Sequence, residues 1–180
     1  TVQGIDVWMT YNGGPVDQGE MFDVVVTMDN PDPIAGFQLN IEDSPESVTY
    51  SSVTMSPELE AIGGMMSDAD DGDLTVLWFD VMGGVIPANF GDLLTVEYEV
   101  SSDAPDGDVD MSFGNLTTFS TSLGQSMFWS GSGTTIPVGL PDVYLSLIQT
   151  SENTYDIHMD NNEAVSGFQF SISDIPDNLT

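Results

Sequence analysis

The sequence predicts an all-β fold: an antiparallel β-sandwich followed by the first strands of a second copy. Three observations carry this. Apolar and polar residues alternate over short runs, the period of a half-buried strand. Gly, Pro, Asn and Asp punctuate those runs as turns. The chain also repeats itself. Met28–Thr49 (MDNPDPIAGFQLNIEDSPESVT) aligns without a gap on Met159–Thr180 (MDNNEAVSGFQFSISDIPDNLT) at an offset of 131 residues, with 10 of 22 positions identical. A period of that length is a whole domain, so the expected organisation is one complete unit over residues 1–139 and the opening of a second over 140–180.

The elements follow in order. Asp6–Tyr11 reads as a strand with Val7, Met9 and Tyr11 on one face, ended by Asn12-Gly13-Gly14-Pro15. Phe22–Met28 alternates, with Phe22, Val24, Val26 and Met28 on one side; Tyr155, Ile157 and Met159 repeat that phase. After the Asn30–Pro33 turn, Ile34–Ile41 presents Phe37, Leu39 and Ile41, and Gly36 marks a bulge or a close backbone approach. Val48–Val53 is a further strand, and Ser56–Met66 holds the one plausible helical turn, limited by Gly63-Gly64. An acidic loop, Asp68–Asp73, precedes the strand Leu74–Val81. Leu93–Val100 aligns Leu94, Val96, Tyr98 and Val100; after the turn Ser101–Asp108 come short strands at Val109–Phe113 and Met127–Trp129. Gly131–Gly139 reads as the lead into the next unit, where Asp142–Leu147 matches Asp6–Tyr11 at an offset of 136. About nine strands per unit, joined by Gly/Pro/Asp turns, make a sandwich.

Charge narrows the function. The 180 residues include 30 Asp and Glu but no Lys or Arg, for a net charge of −30. Phosphate contacts through basic side chains are excluded, so nucleic acid is no partner. Binding to anionic membranes is disfavoured. P-loop, arginine-finger and Schiff-base chemistry have no residue to run on, and neither lysine salt bridges nor Lys–Asn isopeptide crosslinks can form. Self-repulsion in the compact state calls for counter-cations, bound Ca²⁺ or a salty medium. There is no Cys, hence no disulfide, and no apolar run of membrane-spanning length. The start at Thr1 reads as a mature or trimmed end.

The layout resembles the cohesin-like domains of secreted bacterial proteins. The matching residues are the opening strand DVWMTY, the pair FDVVVTMDN and IAGFQLNIED, and the segment GGVIPANFGDLLTVEYEV, so the likeness spans nearly all of residues 5–138. The GFQF-type version also resembles tandem repeats of very large bacterial surface proteins. The resemblance implies a cohesin-like sandwich. Cellulosomal cohesins bind dockerins through one sandwich face; no residue in this sequence marks that face, so dockerin binding is not carried over with the fold.

Several residues are candidate sites. Asp68, Asp70, Asp71 and Asp73 surround Gly72, and Asp103, Asp106 and Asp108 form a second acidic loop; clustered carboxylates on a turning backbone suit Ca²⁺. The plainer reading is that Asp and Gly form turns. Asn115 and Asn178 head glycosylation sequons. His158, the single histidine, falls on the outward phase of its strand. Trp8, Trp78, Trp129 and Phe128 are core rather than a sugar platform, because aromatics at alternating strand positions usually are. With no basic residue to steer a substrate, no catalysis is expected. The first expectation is a structural repeat of an extracellular fibre or surface stalk, its partners being copies of itself and glycans. The alternative is a cohesin-like module that binds a protein or a glycan. The apolar face of the second unit (Tyr155, Ile157, Met159, Phe168, Phe170, Ile172) is then expected to be covered by further chain or by a neighbouring subunit.

Overall fold

The computed structural model describes residues 4–70, 72–139, 143–151, 154–161, 167 and 169. The chain divides into two compact units, Thr1–Gly139 and Leu140–Thr180.

The first unit contains, in order, β1 (Ile5–Thr10), β2 (Met21–Asp29), β3 (Gly36–Ser44), β4 (Val48–Met55), α1 (Pro57–Ile62), β5 (Met65–Asp70), β6 (Leu74–Phe79), β7 (Gly91–Val100), β8 (Gly107–Phe113), β9 (Thr118–Ser120), β10 (Trp129–Ser132) and β11 (Thr134–Val138). These form two sheets. One has the order β10-β1-β2-β7-β4; the other runs β11-β8-β3-β6-β5, with β9 also paired to β3. The inward phase is the one the alternation predicts. Within the first sheet Val24 and Val26 of β2 pair with Val96 and Leu94 of β7 and are buried together with Met28 and Val100, and Leu39, Val76 and Trp78 fill the other layer. Phe37 stacks on Trp78 at 6.0 Å and meets Phe119 at 6.3 Å. Each such side chain contributes roughly 1.5–3 kcal/mol by leaving water.

The helix forms where local chemistry allows it. Ser56 caps it by accepting the Leu59 N–H, Pro57 pre-sets the first turn, and Gly63 at φ 89° ends it. Buried Leu59 pins it to the core.

Three expectations are corrected, and at Gly36 the structure decides between the two readings in favour of the close approach. Residues 131–139 are no lead into the next unit: β10 runs parallel to β1, and β11 pairs with β8 and buries Ile136 and Val138. The acidic segment is not wholly a loop, since Asp68 and Asp70 lie on β5, paired to Val76 and Leu74. With β5, β9 and β11 counted, the described part of the first unit has eleven strands rather than about nine. At Gly36 the ladder to Phe79 is continuous, so there is no bulge; a Cβ there would lie 2.9 Å from the Trp78 carbonyl oxygen, the close approach that requires glycine.

In the second unit β12 (Val143–Ser151) and β13 (Thr154–Asn161) form an antiparallel pair. Leu145 lies opposite Met159, as Val7 lies opposite Met28. Pairing therefore places Leu145 on Val7, an offset of 138 (145 − 7) rather than the 136 read from the sequence. Leu145, Tyr155 and Ile157 are 41–49% exposed. Phe168, Phe170 and Ile172 lie outside the described residues.

Candidate functional site

The outer face of the β3-β6-β5 sheet is the most distinctive surface of the first unit. Because Leu74, Val76 and Trp78 point into the core, Thr75, Leu77 and Phe79 point out. Register then sets their neighbours. Phe79 is flanked by Gly36 and Met65, Leu77 by Gln38 and Ser67, and Thr75 by Asn40 and Ala69. Thr118 of β9 lies beyond Gln38. Gly36 carries no side chain, so a hollow of about 200 Å³ opens beside Phe79 and Leu77 and is rimmed by Gln38, Thr118 and Ser120. Met65 is 56% exposed and Phe79 37%. Gln38 is held by donating to the Leu116 carbonyl at 3.1 Å, and Leu116 itself is exposed. Toward β8 the same face turns polar and acidic with Glu42, Asp110 and Ser112. This sheet face thus carries an apolar hollow and an acidic flank.

A second feature is a cleft of about 450 Å³ lined by residues of both sheets. Asp43, Glu46 and Asp70 stand around it, over apolar Ile41, Leu74 and Met111. Tyr98 lines it too. Its ring is stacked 5.7 Å from Phe22, and its buried Oη has no hydrogen-bond partner. Burial, then the carboxylates of Asp43 and Asp70 and the nearby Tyr50, push the Tyr98 pKa up.

The acidic candidates are dispersed. Asp68 accepts the Tyr50 hydroxyl at 2.6 Å, Asp70 accepts the Gly72 N–H at 3.3 Å, and Asp73 is exposed in the turn before β6. Asp71 lies outside the described residues. Asp106 accepts from Gln18 at 2.8 Å, while Asp103 and Asp108 are exposed. Among the described residues no three acidic or histidine side chains converge on a metal-sized point.

Asn115 is exposed in the turn before β9, and Asn178 lies outside the described residues. His158 is exposed on β13. Trp78 is fully buried, and Trp129 packs edge-on against Phe113 at 6.2 Å, both as core. Trp8 is half-buried, and the expectation that Phe128 is core is corrected: it lies just before β10 and is 78% exposed. Sequence reasoning missed both the hollow and the cleft; the signal for the first was Gly36, read as a close approach without its cross-strand neighbours.

Comparison with known proteins agrees with this architecture. The sequence profile of the cohesin domain matches residues 12–127. Solved structures with the same fold include a non-cellulosomal cohesin from the archaeon Archaeoglobus fulgidus (14% identity, 77% of this chain and 93% of that one, TM-score 0.59). A second is the sixth cohesin of scaffoldin B from Acetivibrio cellulolyticus, solved in complex with a dockerin mutant (14% identity, 76% and 100% coverage, TM-score 0.61). A third is a type I cohesin from Clostridium thermocellum, solved as a cohesin–dockerin complex (18% identity, 76% and 99% coverage, TM-score 0.59). No curated protein matches the chain. Among the described residues no helix is long and apolar enough to cross a membrane. From the profile over residues 12–127 and from the two-sheet sandwich, this chain belongs to the cohesin domain family.

Proposed function

We propose that the first unit is a protein-binding module that docks a dockerin-type partner on the outer face of the β8-β3-β6-β5 sheet. Cohesin domains bind proteins and catalyse nothing, and two of the solved relatives were captured with dockerins. One observation of this chain carries the reading: the hollow at Gly36, bordered by Leu77 and Phe79 with Met65 beside it, on the outer sheet face. A partner's apolar side chain fills the hollow, and its basic residues meet Glu42 and Asp110. The partner is therefore more basic than this chain, and encounter is electrostatically steered. The setting is extracellular or cell-surface, as for the scaffoldins that carry such domains.

The test is calorimetry of the full chain against a panel of dockerin-bearing proteins. Phe79→Ala and Met65→Ala should weaken binding by about 30-fold or more, the loss of a hot-spot residue at about 2 kcal/mol. Glu99→Ala, on the other sheet, should leave it unchanged. No binding across the panel, or equal affinity for all variants, would remove the proposal.

A second reading, a repeat module of a fibre or stalk, rests on the internal repeat. Val7, Val24 and Val26 are buried in the first unit, whereas Leu145, Tyr155 and Ile157 at the matching positions are exposed. Those residues are then covered by strands of another unit, in the same chain or a neighbouring one. Light scattering should show concentration-dependent association of the full chain; a monomer at all concentrations with slowly exchanging β12–β13 amides would contradict it.

A further inference from the structure

The cleft lined by Tyr98 holds an unbalanced set of groups. Buried polar atoms in folded proteins are almost always paired, and an unpaired one costs about 1–3 kcal/mol. Tyr98 is 4% exposed, its Oη has no partner, and nothing obliges the fold to keep a hydroxyl there: phenylalanine would pack as well between Phe22 and Tyr50. The neighbouring Tyr50 hydroxyl is already committed to Asp68. Around the cleft stand Asp43, Glu46 and Asp70, with Ile41, Leu74 and Met111 beneath. Asp43 Oδ2 accepts the Ser47 and Val48 N–H groups at 2.9 and 3.3 Å, which fixes its orientation.

These carboxylates do not converge as a metal's ligands do. A cleft of about 450 Å³ with carboxylates at its rim and apolar side chains among its lining suits a larger cation that reaches separate acceptors through N–H bonds and lays its alkyl stem on apolar surface. The chain has no Lys or Arg, so it cannot supply such a group itself. We propose that this cleft binds an organic cation from outside the chain, a primary ammonium or guanidinium, with Asp43, Glu46 and Asp70 as counter-charges and Tyr98 Oη accepting one N–H. The site lies between the sheets, not on the outer face assigned to dockerin docking, and stands independently of that assignment.

The experiment titrates the ¹⁵N-labelled full chain, at ionic strength fixed with NaCl, with N-acetyl-lysine methylamide and separately with spermidine. The expected result is saturable shifts confined to the amides of residues 43, 44, 46–50, 70, 72–74 and 98–101, with affinity at least ten-fold weaker in Tyr98→Phe and Asp70→Asn. Saturation by the lysine derivative assigns the cation to a side chain of a partner; saturation by spermidine alone assigns it to a free polyamine. Three results overturn the proposal: shifts spread over the acidic surface and reproduced by NaCl, saturation of the same amides by CaCl₂ without competition from either amine, or unchanged affinity in Tyr98→Phe. Both variants keep the core packing, and dispersed spectra verify that they fold.

Discussion

Thr117 belongs by sequence to a glycosylation sequon and by structure to the core, and mutation separates the two roles. Its side chain is buried. Oγ1 accepts the Asn40 N–H at 3.0 Å and donates to the Asn40 carbonyl at 3.2 Å. That carbonyl keeps a second donor, the Gly114 N–H at 2.8 Å. Thr117→Val preserves shape but strands the Asn40 N–H, at a residue only 3% exposed. The unpaired donor costs about 1–3 kcal/mol, and the carbonyl loses little, so the expected destabilisation is about 2 kcal/mol. For a unit of this size that lowers the melting temperature by roughly 6–10 °C. Thr117→Ser keeps the hydroxyl and should recover most of the loss. Asn115→Gln destroys the same sequon at an exposed residue and should stay within about 0.5 kcal/mol of the parent. Calorimetric melts of the four proteins decide it. A Thr117→Val melt within about 1 °C of the parent, or an Asn115→Gln melt as low as Thr117→Val, would refute the pairing.

Further outcomes follow from other contacts. Asn30 is buried, donates to the Asp32 and Pro87 carbonyls at 2.9 and 2.8 Å and accepts the Phe90 N–H at 3.1 Å; Asn30→Ala should cost about 3 kcal/mol in urea unfolding. A Cβ at Gly133 would meet the Met111 carbonyl oxygen at 1.8 Å, so Gly133→Ala should detach β11 and speed hydrogen exchange at Ile136 and Val138. Burial raises the Tyr98 pKa above the ordinary 10.0 of the unfolded chain, so its contribution is complete below about pH 10 and falls as pH rises beyond it. Circular dichroism against pH should show alkaline unfolding, shifted to higher pH in Tyr98→Phe. Raising NaCl from about 0.01 M to about 1 M shortens the screening length from about 30 Å to about 3 Å. At a net charge of −30 the melting temperature should rise across that range.

What was legible in the sequence is what a single strand encodes by itself. Phe22–Met28 and Leu94–Val100 face the core in the phase their alternation gives, because one buried face fixes register. The segments misread are edge strands, which are only half covered and so need no alternation. On β5 the inward phase carries Asp68 and Asp70, sustained by Tyr50 and by the open sheet edge. On β11 Pro137 argues against a strand, yet an edge strand tolerates a missing N–H. The parallel pairing of β10 with β1 joins residues more than a hundred positions apart, and local pattern says nothing of that. The hollow at Gly36 needs the pairing of Gly36 with Phe79, and the cleft needs Tyr98 set beside Asp43 and Asp70; neither is written in any one stretch.

A chain without Lys or Arg must hold its acids by other means, and the structure shows which. Carboxylates are paired with neutral donors, often across strands: Asp92 with Thr27 at 2.8 Å, Asp110 with Thr135 at 2.7 Å, Glu97 with Ser51 and Ser52 at 3.1 and 3.2 Å, and Asp6 with Ser130. In turns, Asp80 accepts the Met82 and Gly84 N–H groups at 2.8 and 2.7 Å. Such bonds keep the negative charge but need no counter-ion, and being short they survive salt that would dissolve a surface ion pair. The long-range repulsion left over is the part that salt removes. Added salt therefore weakens what opposes folding and spares what supports it. That asymmetry suits a sandwich exposed to variable ionic strength, and it leaves the acidic surface free to attract whatever cationic group a partner brings.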